Sequence, residues 1–248
     1  SAKAGAALRA LPDLARHGGR LGGLKIPPKA EAEAELSAGS KLGAVPIAWC
    51  EPAYPPWLKA CEDAPPLLWV LGAAHLLARP MIAIVGARNA SLNGRRFAKR
   101  LAEGLGRAGL VVASGLARGI DGAAHEGALP TGTVAVLAGG VDNIYPPEHA
   151  DLYRKITEAG LVLSEMPPGT VPQASHFPRR NRIVSGLSLG LVVVEAAAKS
   201  GSLISARLAG EQGREVFAVP GHPDDPRAFG PNRLIKEGAH LVSEAQDV

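Results

Sequence analysis

Six short apolar runs alternate with longer mixed stretches from residue 80 to the end of the chain. Each run is about one strand in length and apolar throughout, as expected of parallel strands that are covered on both faces. The runs lie at 81–86 (MIAIVG), 110–115 (LVVASG), 134–140 (VAVLAGG), 161–165 (LVLSE), 191–196 (LVVVEA) and 216–221 (VFAVPG). Helices are predicted between and after them, at 93–108, 119–129, 148–159, 178–189, 202–213 and 231–238. This alternation predicts an α/β fold with a doubly wound, mostly parallel sheet and helices on both faces.

The first 75 residues have a different pattern. Residues 1–45 are rich in Ala, Gly and Lys, and they predict a short helix over 4–17 and a polar linker over 25–41. Residues 46–75 contain all three tryptophans and many prolines, and we expect them to pack irregularly with the aromatics as anchors. The predicted domains are a partial N-terminal helical region with its linker, 1–45, and a large domain, 46–248. Because the chain opens without methionine, we expect it to be a piece of a longer protein.

Composition and charge narrow the class of protein. Glycine accounts for 30 of 248 residues and recurs at strand ends, where it permits tight turns and close approach to a ligand. The formal net charge of +4 suggests a polyanionic partner. Two cysteines are too few for a disulfide framework or a zinc site, and no apolar run approaches the ~20 residues of a membrane span. We expect a cytoplasmic protein without metal, cofactor or membrane contact.

Four of the predicted strands lead into glycine- or serine-rich turns that open helices. The turn after the first strand carries Gly86, Arg88 and Ser91, the turn after the second Gly115, Arg118 and Gly119, the turn after the third Gly139, Gly140 and Tyr145, and the turn after the fifth Ser200, Gly201 and Ser202. The carboxyl ends of parallel strands meet at one edge of a sheet, near the point where strand order reverses. Free N–H groups and helix dipoles attract anions at such turns. The sequence therefore predicts an anion-binding edge.

A cluster of arginines occurs in the segment His176–Ser188 (HFPRRNRIVSGLS). Pro178 suits the first helical position, which would place Arg179, Arg180 and Arg182 in the first turn. Cations are unfavourable there because of the helix dipole. A bound polyanion would compensate them, and so would a buried network with distant acids such as Glu165 or Glu195. Both interpretations stay open, because some of the arginines can bind phosphate while others pair with acids.

Several long motifs in one order resemble the DprA/Smf family of DNA-processing proteins. They include VGARNASLNG, SGLARGID, AVLAGGVDNIYPPEH, the LSEMPPG…HFPRRNRIVSGLS segment, VVVEAAAKSGSLISARLAGEQGREVFAVPG and GPNRLIKEGAHLV. The resemblance extends from about Ala44 to the end of the chain. It implies an extended Rossmann-like domain that binds single-stranded DNA without strong sequence preference. It also implies protection of single strands during natural transformation, loading of the RecA recombinase and self-association as a homodimer.

The resemblance also places binding residues. The family's G-x-R turn and F-x-x-R-N-R segment correspond to Arg88 and to Phe177, Arg180, Asn181 and Arg182. Together with the strand-end turns, the predicted DNA-binding residues are Gly86, Arg88, Ser91, Gly115, Arg118, Gly119, Phe177, Arg179, Arg180, Asn181, Arg182, Ser200, Gly201 and Ser202. Phe177, and after it Tyr145, is the expected stacking platform for bases, although a core role fits each ring equally well. The predicted helix at 93–108 carries four more cations, which either extend the basic track or form a solvated face: Arg95, Arg96, Lys99 and Arg100.

Two other classes of function stay in view. One is a nucleotide-binding enzyme like the nucleoside-monophosphate phosphoribohydrolases, with Glu195 as the catalytic acid, although their P-G-G-x-G-T-x-x-E signature is missing. Asp121 and His125 share a helix face, but without a third ligand we expect a helix N-terminal acid and a satisfied histidine, and no catalytic or metal-binding residue. The other class is a protein-interaction scaffold, in which the stretch around SLISARLAGEQGREVF would form a dimer face.

Overall fold

The structure is a computed structural model that describes residues 2–19, 24 and 26–248. The chain divides into two compact units, Ser1–Ala38 and Gly39–Val248. No helix in the described part of the chain is long and apolar enough to cross a membrane.

The N-terminal unit consists of α1 (Ala2–His17) and most of α2 (Lys29–Lys41). The predicted helix over 4–17 is confirmed. The predicted polar linker is wrong from residue 29 onward, while its first residue, Lys25, lies outside the described residues. The sequence KAEAEAELSAGSK consists mainly of good helix formers, and an i,i+4 pair joins Lys29 to Glu33 at 2.6 Å. The polar composition of this segment therefore reflects a helix exposed to solvent and not a linker without secondary structure.

The larger unit contains one nine-stranded sheet in the order β1-β2-β6-β5-β4-β3-β7-β8-β9. Its strands are β1 (Val45–Ala48), β2 (Leu67–Gly72), β3 (Met81–Val85), β4 (Val111–Ser114), β5 (Thr133–Val136), β6 (Leu161–Ser164), β7 (Gly190–Val193), β8 (Glu215–Ala218) and β9 (His240–Leu241). Its helices after α2 are α3 (Pro56–Lys59), α4 (Leu92–Arg107), α5 (Ile120–Ala128), α6 (Ala150–Ala159), α7 (His176–Gly186), α8 (Gly201–Glu211) and α9 (Phe229–Lys236). All six predicted strands and the helices that accompany them are confirmed, within three residues at each helix end.

Strand order reverses between β3 and β7. The chain runs outward from β3 through β4 and β5 to β6, and then returns to place β7 on the other side of β3. All pairs from β6 to β9 are parallel. The carboxyl ends of β3 and β7 thus border the crevice in which open α/β sheets bind ligands.

The expectation that residues 46–75 pack irregularly holds between the strands, at 49–66, and is wrong at the two ends. Most of β1 and all of β2 lie in this segment as an antiparallel pair that extends the sheet beyond β6. Trp69 lies in β2 and is 1% exposed, whereas Trp49 and Trp57 are 47% and 44% exposed and anchor no core. Prolines between the two strands hid a pairing that bridges about twenty residues.

The core lies on both faces of the sheet, because successive residues of each strand point to opposite sides. In β3, Ile82 and Ile84 pack with α4 and α5. Met81, Ala83 and Val85 pack on the other face with α7 and α8. Continuously apolar strands are required for this two-sided burial.

Two helical glycines make a matched test of this packing. A Cβ on Gly39 would lie 2.0 Å from the buried Trp69 ring, whereas a Cβ on Gly210 would meet nothing within 4 Å. We expect Gly39→Ala to destabilise the protein by about 1–3 kcal/mol through overpacking. Gly210→Ala should stabilise it by about 0.5–1 kcal/mol, because alanine favours the helix. Urea unfolding measures both, and a stabilised Gly39→Ala variant would contradict the described contact.

Candidate nucleic-acid interface

A groove of about 1180 Å³ lies at the carboxyl ends of β3, β4 and β7. We call it the main groove. Gly86 and Arg88 line it after β3, and Gly115 lines it after β4. Its opposite wall includes the start of α8. The predicted ligand-binding edge therefore coincides with a real concavity at the reversal of strand order.

One corner of the main groove combines a cation with two aromatic rings. The Arg88 guanidinium lies over the Phe177 ring, 5.4 Å from its centroid. Phe177 in turn contacts Tyr145, with 5.4 Å between ring centroids and an interplanar angle of 59°. Tyr145 is 48% exposed, and Arg88 is exposed and has no acidic partner within the described part of the chain. This corner offers a positive charge and π surface to an incoming ligand.

The wall formed by α8 offers hydroxyl groups and N–H donors. Ser200 caps the helix, and its hydroxyl bonds to that of Ser202 at 2.7 Å. Gly201 faces open space. Two further cations line this wall, Lys199 and Arg227, and neither is among the DNA-binding residues predicted from the sequence. Lys199 is exposed, and its position directly before the serine-rich turn is the signal that could have identified it.

The arginine-rich helix begins earlier than predicted. α7 starts at His176, so Pro178 occupies its third position, and Arg180 and Arg182 lie beyond the first turn. Arg180 shares one face of the helix with the buried residues Ile183, Val184 and Leu187. That spacing of i, i+3, i+4 and i+7 turns Arg180 inward and leaves it 6% exposed.

Arg180 holds the floor of the main groove. Its Nη1 donates to the carbonyl oxygens of Gly115 and Val136, each at 2.5 Å, and so joins α7 to the ends of β4 and β5. Burial lowers the pKa of Arg180 to about 10, against the attraction of Asp121. Burial raises the pKa of Asp121, whose carboxylate accepts N–H bonds from Gly115 and Ala117 at 3.2 and 3.3 Å.

Arg179 and Arg182 follow the carboxylate-network interpretation. Both bind Glu165, whose side chain is 6% exposed; the Nε of Arg179 lies 3.1 Å from its Oε1. Arg182 is 12% exposed and also donates to the carbonyl oxygen of Asp63. Asn181, between them, lines the groove with its amide 3.5 Å from the carbonyl oxygen of Gly201.

The remaining predicted residues lie beside the groove. Ser91 caps α4, and its N–H and hydroxyl donate to the carboxylate of Glu195 at 2.8 and 2.5 Å. Arg118 is exposed and paired with Glu148. Gly119 has φ of +78°, and a Cβ there would lie 2.2 Å from the carbonyl oxygen of Ala87. Only glycine fits at this close approach of two turns.

Asp121 and His125 have separate buried environments. Thr133 Oγ1 donates to Val112 O at 2.9 Å, so the 2.7 Å contact between His125 and Thr133 requires a proton on His125 Nδ1. Its Nε2 is buried without a partner within the described residues. Among those residues, no group of three His, Cys, Asp or Glu side chains is arranged to hold a metal ion.

The pair of Arg182 and Glu165 can be tested against its exposed neighbour. We expect Arg182→Gln to lower the free energy of unfolding by about 3 kcal/mol, the lower end for a broken buried pair, because Arg179 still contacts Glu165. The control, Arg179→Gln, removes a pair whose cation is 61% exposed and should cost less than about 1 kcal/mol. Chemical unfolding measures both. Equal losses would contradict the buried position of Arg182.

A second prediction concerns pH. Burial lowers the pKa of His125 from 6.5 to about 3. The unfolded chain therefore binds this proton first as pH falls, and the stability contribution present above about pH 6.5 is lost progressively down to pH 3. Between pH 7 and pH 5 we expect wild type to lose about 2 kcal/mol more than His125→Gln. Unfolding free energies of both proteins across this range test it, and parallel curves would contradict it.

Comparisons with known proteins agree with this architecture. A family model described as DNA recombination-mediator protein A matches residues 46–248, and one described as a DprA-like N-terminal HHH domain matches residues 1–38. The chain is 48% identical over 198 residues to Protein Smf of Escherichia coli, covering 79% of this chain and 53% of that protein. It is 45% identical over 216 residues to the DNA processing protein DprA of Bacillus subtilis, covering 86% and 73%. The chain thus spans about half the length of the E. coli relative.

Two solved structures extend the comparison to the fold. DNA processing protein A from Streptococcus pneumoniae superimposes with a TM-score of 0.82 at 43% identity, covering 87% of this chain and 76% of that one. The protein from Helicobacter pylori, described for its mode of binding single-stranded DNA, gives 0.76 at 32% identity, covering 82% and 93%. The resemblance carried by the strand-end motifs is thereby confirmed: the chain belongs to the DNA recombination-mediator protein A, or DprA/Smf, family.

Proposed function

We propose that the main groove binds single-stranded DNA through its sugar–phosphate backbone, without strong sequence preference and without catalysis. The observation that carries this proposal is the corner at which the unpaired Arg88 guanidinium lies over Phe177 beside the exposed Tyr145. Binders of single strands combine cations that follow the backbone with aromatic rings on which bases stack. The H. pylori relative, described for its mode of binding single-stranded DNA, supports the same class of ligand.

The groups along the groove are suited to phosphate. Arg88 and Lys199 are exposed cations on opposite walls, and the α8 turn adds the N–H groups of Gly201 and Ser202. Contacts of this kind fix a strand in position without distinguishing one base from another. Stacking on Phe177 or Tyr145 is likewise tolerant of sequence, because every base has a π face.

The arginines that already have partners within the protein have a different part in this proposal. Arg180 donates two hydrogen bonds to backbone carbonyl groups and acts as a fixed positive charge beneath the strand. Arg182 is held by Glu165 and shapes the helix that carries Phe177. Arg179 and Arg118 are exposed and paired, so a phosphate can exchange with their carboxylate partners at little cost.

We further propose that the protein protects incoming strands in the cytoplasm and helps load RecA onto them during natural transformation. Membership of the family supports this role. A homodimer fits a second groove of about 720 Å³, in which apolar side chains of α8, β8 and α9 lie among charged ones; the apolar ones are Leu203, Ile204, Val216 and Leu234. Ile204 is 37% exposed there, in the stretch that the sequence suggested as a dimer face.

The enzyme alternative has less support. Its catalytic acid would be Glu195, but that carboxylate accepts two hydrogen bonds from Ser91 and thereby holds the residue that caps α4. It is also absent from the residues that line the main groove. We therefore assign Glu195 a structural role.

Salt-dependent binding separates the two kinds of contact. We expect wild type to prefer a labelled single strand of mixed sequence over its duplex, with a log–log salt slope between about −1.4 for the two unpaired cations and about −3.5 for five contacts, at about −0.7 each. Arg88→Gln should weaken binding about tenfold or more and make the slope shallower by about 0.7. Phe177→Leu should weaken it about tenfold with an unchanged slope, because stacking releases no counterions.

Arg154→Gln is the matched control, because Arg154 is 66% exposed on α6 and its ion pair, among the described residues, is with its helix neighbour Asp151. Its affinity and slope should equal those of wild type. Wild type that ignores single strands would overturn the proposal and make hydrolysis of nucleoside monophosphates the next activity to assay. Unchanged binding by folded Arg88→Gln would remove Arg88 from the site.

A further inference from the structure

A second basic concavity lies next to the main groove, on the side of α4 and α5. It has a volume of about 270 Å³ and is lined by Arg95, Arg96, Lys99, Gly119, Gly122, Ala123, Glu126 and His149. We call it the basic depression. Three cations and one acid line it. Gly119 is among the predicted DNA-binding residues, and for the three cations the sequence left two roles open, a longer basic track and a solvated face.

The charge arrangement on α4 is unfavourable for an isolated helix. Arg95 lies at the end of the first turn, where the helix dipole disfavours cations, and Arg96 and Lys99 follow in the second turn. Arg95 and Lys99 are four residues apart and Arg96 and Lys99 three apart, so they repel one another along one face. The carboxylate at the start of this helix, Glu195, is bound to Ser91. A polyanion along this face would remove the repulsion.

The contacts that these three cations make within the protein leave most of their positive charge free to bind an anion. Arg96 is exposed and makes no ion pair or side-chain hydrogen bond within the described part of the chain. Lys99 lies 3.8 Å from Glu126, and both side chains are about half exposed, at 49% and 56%. Arg95 donates to the carbonyl oxygen of Ala90 at 3.1 Å. Arg100 points elsewhere, because it lies over Phe97 and lines a different hollow near the end of the chain.

The basic depression is linked to the main groove through a small hollow and two consecutive residues of the chain. A small hollow of about 360 Å³, lined by Arg88, Tyr145, Phe177 and Arg118, shares the first three of these residues with the main groove. Arg118 is followed directly by Gly119, which lines the basic depression. The boundary between the two is the exposed ion pair of Arg118 and Glu148. Such a pair contributes about 0–1 kcal/mol, so a phosphate can take the place of Glu148.

We propose that the basic depression is an extension of the single-strand path: a strand leaving the aromatic corner passes Arg118 and lays its next phosphates on Arg96 and Lys99. The inference rests on the proposed function of the main groove. It follows that strands long enough to reach α4 gain contacts that short strands lack.

Binding as a function of strand length tests the extension. Fluorescently labelled oligothymidylates of about 4 to about 16 nucleotides, the range of site sizes known for small single-strand binders, are titrated against the whole 248-residue chain. The variant is Arg96→Gln/Lys99→Gln, since glutamine keeps the helix propensity and removes only charge. Arg107→Gln/Lys41→Gln removes the same charge from the far end of α4 and from α2, both exposed.

The expected result depends on length. For the longest strand, Arg96→Gln/Lys99→Gln should bind about tenfold more weakly and make the salt slope shallower by about 1.4. For the shortest strand that wild type binds, it should equal wild type, and the control variant should equal wild type at every length. Equal losses at all lengths, no loss at any length, or a loss confined to duplex DNA would each overturn the extension while leaving the main groove intact. Failure of wild type to bind any strand would instead refute the proposed function itself.

Discussion

Arg180 donates to the carbonyl oxygens of Gly115 and Val136 from inside the protein, and the geometry of the ligand-facing edge depends on these bonds. Without the guanidinium, two strand-end carbonyl groups and the buried carboxylate of Asp121 would lose a positive partner, and unpaired buried polar groups are costly. The same helix face carries Phe177 three residues earlier. A buried charge thus fixes the ring over which Arg88 lies.

The cations of this edge form a series from buried to free. Arg180 and Arg182 are enclosed and engaged, and their removal would expose the protein to the cost of uncompensated buried groups. Arg118 and Arg179 are paired on the surface, where a pair contributes little and a ligand can compete for it. Arg88 and Lys199 make no ion pair with any residue that the structure describes. The cost of freeing the cation for a phosphate therefore decreases along the series, although all six side chains are cationic.

Much of this could be predicted from the sequence, because the central strands are apolar runs and their carboxyl ends must share an edge. The burial of Arg180 was also present in the spacing of residues 180, 183, 184 and 187, but the density of positive charge drew attention away from that stripe. The bond between Ser91 and Glu195 joins residues 104 positions apart, and one sequence holds no sign of it. The pairing of β1 with β2 was hidden for a related reason, since strand pairing is non-local and the intervening prolines resemble an irregular segment.

The acids explain why some cations of this edge have no carboxylate partner among the described residues. Glu195 accepts two hydrogen bonds from Ser91, Asp121 accepts N–H bonds from the turn after β4, and Glu165 is shared by two arginines. These three carboxylates near the carboxyl ends of the strands are therefore already bound to internal donors. The main groove also contains Asp225, but this acid is paired with Arg227. Arg88 and Lys199, which make no ion pair within the described residues, and the neutral N–H and hydroxyl donors of the α8 turn therefore face the groove without a competing carboxylate.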